Sequence, residues 1–112
     1  MFTGCSITVK TGRAFTVSTT SNGAIGFRKA SSTFTVEAGA TVTLTGPKGI
    51  DSQADVTSAT VNNSGIIDFS GVTVSAVHPN GATALAITNN ACGIMKLGNF
   101  KMKMWGTGCL LT

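Results

Sequence analysis

Charge is what this sequence has least of. Only 11% of its 112 residues are Asp, Glu, Lys or Arg, less than half the typical quarter. There is no tyrosine and a single tryptophan, Trp105. A nucleic-acid-binding face normally gathers a dense basic stripe with aromatics between the cations. The eight basic residues here are spread along the chain, apart from a small cluster near the C-terminus, so nucleic acid is not an expected partner. No stretch approaches the ~20 consecutive apolar residues of a transmembrane helix. Met1-Phe2-Thr3-Gly4 lacks the basic and apolar runs of a secretory signal. No membrane is expected, and the expected site of synthesis and assembly is a cytoplasm.

Titratable chemistry is equally sparse. The acids are Glu37, Asp51, Asp55 and Asp68, and the only histidine is His78. General acid–base catalysis needs positioned titratable groups, and a glycosidase needs two carboxylates across a cleft. Asp51 and Asp55 are the only close acidic pair, and they fall in a loop-like stretch where solvation accounts for them. His78 precedes Pro79-Asn80-Gly81 and reads as a turn residue with no visible fellow ligand. No Gly-x-Ser-x-Gly elbow occurs. Gly46-Pro47-Lys48-Gly49 lacks the glycine spacing and the Lys-Ser/Thr pair of a phosphate loop. Cys5, Cys92 and Cys109 are odd in number and match no metal-ligand spacing. Among small or apolar neighbours they read as reduced, buried thiols, with a Cys92–Cys109 bridge as the open alternative. No catalytic residue, metal ligand or cofactor is expected, and the chain is expected not to be an enzyme.

What is present points to an all-β domain. The hydrophobic share of 42% suffices for a core, and this length makes one domain, residues 1–112. Thr, Ser, Gly, Ala and Asn fill the place of the missing charges. Such a surface suits a protein whose outside is largely covered by neighbours, because contact cores are depleted in charge. No segment has helical periodicity. Ile7 and Val9, Phe15 and Val17, Phe34 and Val36, and Val42 and Leu44 alternate with Ser, Thr and Lys, and Ile25 and Phe27 follow the turn pair Asn22-Gly23. That period of two puts one face of a strand inward. Gly and Asn, which accept positive φ, punctuate the runs at 38–40, 62–65, 79–81 and 89–90. Residues 46–54 are the least strand-like, and 46–55 is the only candidate subdivision.

The second half repeats itself. Gly65 to Ala76 aligns without gaps on Gly93 to Met104, matching Ile66/Ile94, Ile67/Met95, Phe69/Leu97, Val72/Phe100 and Val74/Met102. Each copy follows an Asn pair, and Asp68 aligns with Lys96. Val42, Leu44, Thr45 and Gly46 echo Ile67, Phe69, Ser70 and Gly71 as a fainter third copy. A period in the twenties is that of a β-solenoid with one coil per repeat. Phe69 would then stack over Leu97, Val72 over Phe100, and Asp68 over Lys96. The expected fold is therefore a short β-solenoid, β-helix-like, in the C-terminal half with a strand-rich N-terminal half. A β-sandwich, whose hairpins would share the same apolar rhythm, is the alternative.

Asn62 to Val74 resembles a coil of a right-handed parallel β-helix, and Gly93 to Met104 resembles the next coil. Pectate-lyase-like proteins, bacteriophage tailspikes and some capsid-decorating phage proteins use such coils. The resemblance covers roughly the last half of the chain. The enzymes' cluster of acids on one face has no counterpart here. The resemblance implies a structural protein of a tailed-phage virion, assembled in the host cytoplasm. It would be a homotrimeric capsid cement or decoration protein that binds the major capsid protein and stabilises the shell. The alternative is a tail-fibre or tailspike-type adhesion module binding glycans. A truncated solenoid exposes strand edges and apolar ends, which fits a docking role. In Lys101-Met102-Lys103-Met104-Trp105, a strand puts Lys101, Lys103 and Trp105 on one face. With Lys96, Leu110 and Leu111 they form the candidate interface, although the two leucines read equally well as a final core strand and Trp105 reads somewhat better as simply packed at the chain's end.

Overall fold

The computed structural model describes residues 6–21, 23–28, 31–52, 58–78, 84–97 and 110–111. These residues contain no helix and ten strands: β1 (Ser6–Val9), β2 (Ala14–Ser18), β3 (Gly23–Phe27), β4 (Ser32–Val36), β5 (Thr41–Ser52), β6 (Ser58–Asn63), β7 (Ile66–His78), β8 (Ala84–Asn89), β9 (Ile94–Lys96) and β10 (Leu110–Leu111). The protein is all-β, as its alternating Thr/Val/Ile/Phe runs require.

Every pairing among the described strands is parallel. One sheet has the order β1-β4-β6-β8-β10; the other has β2-β5-β7-β9, with β3 also lying on β5. β2 and β3 follow one another in the second sheet; from β3 to β9 the chain alternates between the sheets and re-enters each one strand further along. Parallel neighbours need a crossover connection, and here the crossover is a strand of the opposite sheet. Ser6 lies beside Thr33, 27 residues on, Ala14 beside Thr41, and Ile66 beside Ile94. Gly23 opens β3, which runs parallel to β5 from Lys48.

The self-match in the sequence is a register. Ile66 pairs with Ile94, Ile67 with Met95, and Asp68 with Lys96. Phe69 is fully buried, and Leu97 packs against the same core. The remaining pairs, Val72/Phe100 and Val74/Met102, lie partly outside the described residues. The third copy aligns only in part. Val42 pairs with Ile67, but a register shift between Thr43 and Thr45 sets Thr45 on Gly71 and Gly46 on Val72. The N-terminal half joins the same ladders, with Phe15 on Val42, Val17 on Leu44 and Ile7 on Phe34.

Residues that stack across strands also share the core. Phe34, Val61 and Ile87 form one buried row, and Val42 and Ile67 another. Ile50 and Val77 form a third. The loop expected at 46–54 is corrected over 46–52, because β5 continues through to Ser52. Gly46 has φ 127, a conformation open to glycine, and the register slips between Gly46 and Lys48. Pro47, with no N–H to donate, sits at that slip, the kind of place a strand tolerates proline. Glycine and proline there mark an irregularity within a strand.

Candidate docking site at the open end

The interface expected from the sequence is not assembled by the described residues. Lys96 is exposed on β9, beside Asp68. Leu110 and Leu111 form β10, paired with Ala86 and Ile87. Lys101, Lys103 and Trp105 lie outside the described residues.

Large apolar side chains are exposed in two places: Val74 on β7 and Ile94 on β9, and Ile7 and Phe15 at the opposite end, where two hollows accompany them. β1 begins one sheet, and β2 and β3 border the other. Ile7 heads the row that continues inward as Phe34, Val61 and Ile87. The rule that places these residues in the core should bury Ile7 too, but it is 55% exposed because no described strand lies beyond it. Phe15 heads the Val42–Ile67 row and is 37% exposed for the same reason. Its ring still packs against Phe34, with centroids 6.4 Å apart.

Two hollows open on this end, and Ile7 borders both. One, of about 220 Å³, is walled by Ile7, Ile25, Phe27 and Phe34, with Arg28 at its edge. The other, of about 310 Å³, lies among Ile7, Val9 and Phe15, with Lys10 and Arg13 alongside. Sequence reasoning placed the strands here but missed the site. Alternation reports which side chains point inward; it does not report which member of a stacked row comes first.

The cations at the rim are held differently. The Arg28 guanidinium donates through Nη1 to Asp51 Oδ1 at 3.1 Å and to the Phe27 carbonyl at 3.2 Å. The Gly23 N–H donates to Asp51 Oδ2 at 3.1 Å. Asp51 is only 4% exposed, so its reading as a solvated loop acid is corrected. The same strand continuation that removes the loop buries the carboxylate, and Arg28 and Gly23 satisfy it. Asp55 lies outside the described residues. His78 ends β7, half-buried beside Asp51 in register; it closes a strand, where a surface turn was expected.

Lys10 Nζ donates to Glu37 Oε2 at 3.3 Å, and the Thr11 backbone N–H to Glu37 Oε1 at 3.0 Å. The Thr11 hydrogen bond, with Lys10 beside it, holds the Glu37 carboxyl below its ordinary range. Asp68 is held below its own range by the hydroxyl and then the N–H of Ser70, with Lys96 adding a smaller attraction. Arg13 makes no ion pair among the described residues. Cys92 is an exposed free thiol at φ 67, where a buried thiol was expected. It sits in the Ala91–Cys92 turn that follows β8.

Each described acid is thus tied to its own local partners. What this end offers is apolar contact, cations and an open strand edge. Comparison with known proteins found no matching family model, no matching curated protein and no matching solved structure.

Proposed function

We propose that the chain is a short β-solenoid that serves as a non-enzymatic structural protein of a tailed-phage particle. In this reading it is a homotrimeric capsid cement or decoration protein that binds the major capsid protein. The observation that carries the reading is the open end: Ile7, at 55% exposure, heads an otherwise buried row and has no described strand beyond it. A stack of coils needs its ends covered, by a cap or by a partner. An apolar edge beside cations fits a protein neighbour. Parallel registers repeating at 24 to 28 residues support the solenoid half of the reading.

The mechanism is mass action. A protein that binds the assembled shell and not its free subunits shifts the equilibrium toward the shell. The test is co-sedimentation of the purified chain with mature shells of the phage that encodes it, followed by heating. Saturable binding with a raised temperature of genome release is expected. A chain that stays in the supernatant at every concentration contradicts the virion role.

A further inference from the structure

We propose that β1 is a strand-addition site for an extended protein segment in which apolar and acidic residues alternate. The inference rests on the docking role above and names the element of the partner that docks. The first observation is topological. β1 is the terminal strand of its sheet, with β4 on one side and no described strand on the other. A terminal strand presents backbone N–H and C=O groups that a further strand can pair.

The second observation is the pair of hollows. An added strand continues the rows of the sheet, so its inward side chains point to where the row of Ile7 and the row of Val9 would extend. Ile7 lines both hollows, with Phe34 in the wall of one and Val9 in the wall of the other. A cavity of about 150 Å³ takes benzene, so the 220 Å³ hollow suits one side chain of leucine or phenylalanine size. Every second residue of the incoming strand is therefore apolar.

The third observation is charge. Arg28, Lys10 and Arg13 border the hollows. Nε and Nη2 of Arg28 have no hydrogen-bond partner among the described residues, and Arg13 has no ion pair there. Asp51 fixes the Arg28 head in place, so less side-chain freedom is lost when a second carboxylate arrives. The residues between the apolar ones are accordingly acidic. A basic segment would meet like charge.

The test is a selection of short random peptides displayed against the folded chain. The expected winners alternate apolar and acidic residues. Their binding falls about tenfold or more with Ile7→Asp, as for a central contact residue. It also falls with Arg13→Glu, an exposed substitution that touches no core packing. Thr88→Asp, on the distant strand β8, leaves it unchanged. N-methylation of alternate peptide amides weakens a selected binder, as lost strand pairing requires. The proposal is overturned if no peptide is enriched, if the winners are basic, or if Ile7→Asp and Arg13→Glu leave binding intact. Shell binding that survives such a failure refutes strand addition alone. Peptide binding without shell binding refutes the virion reading alone.

Discussion

Arg28 and Asp51 form the ion pair with the more buried carboxylate, the Asp51 side chain being 6% exposed and that of Arg28 41%. Truncating the cation leaves a buried carboxylate that keeps only the Gly23 N–H. Arg28→Met should lower stability by about 1–3 kcal/mol, less than the loss of one partner of a fully buried pair because one face of the guanidinium already meets water. Urea denaturation measures it, and an unchanged midpoint would show that the pair is solvated.

The other two described acids set the response to pH. Glu37 and Asp68 both titrate below their ordinary values of 4.5 and 3.8. A carboxyl depressed in the folded state adds stability above its unfolded pKa and loses that contribution as the pH falls through its folded pKa. Stability should therefore decline on acidification below about pH 4.5. Glu37→Gln and Asp68→Asn should each flatten the decline. A pH-independent midpoint between neutrality and pH 3 would contradict this assignment.

At the scale of elements, the asparagines at the corner after β6 and β8 join successive strands. Asn63 is fully buried. Its Nδ2 donates to Asn89 Oδ1 at 2.8 Å and to the Ile94 carbonyl at 3.1 Å, and its Oδ1 accepts the Gly65 N–H at 3.2 Å. One side chain thus links β6, β8 and the turn into β9. Asn63→Ala strands an N–H and a carbonyl, and should cost about 2–4 kcal/mol. Hydrogen exchange should quicken in Gly65 to Lys96. Loss confined to the two turns, with β8 and β9 as protected as before, would show that the asparagine does not couple them.

Much of this element scale was legible beforehand. The self-match of Gly65–Asp68 with Gly93–Lys96 turned out to be the register of β7 on β9, because side chains that stack in one row face the same chemical demand. The Asn pairs also marked the corner, although they do not stack pair on pair. Asn63 sits on Asn89, while the Asn90 side chain donates to Ser64 Oγ, and the turn after β8 is longer by Ala91 and Cys92. What misled was Gly46-Pro47-Lys48-Gly49. Its residues carry the same signature whether the chain turns away or a long strand slips register, and only the neighbouring strand β7 decides between the two.

At the scale of the whole molecule, parallel rows impose an asymmetry that no single segment reveals. Rows buried through the middle of the stack must surface at its ends. Ile7 and Phe15 differ from Phe34 and Val42 in position and not in chemistry, which is why composition and alternation could not single them out. The expected interface was placed near the C-terminus, on Lys96, Lys101, Lys103, Trp105, Leu110 and Leu111, because charge and tryptophan are visible in a sequence. The uncovered start of a row is visible only once the rows are assembled. In the proposed reading, neighbours cover the low-charge surface and the open edge.

Sedimentation equilibrium over a wide range of protein concentration and salt tests that claim most directly. The account predicts an assembly of three times the 11.3 kDa chain mass, stable on dilution. A monomer whose mass does not change with concentration would contradict it.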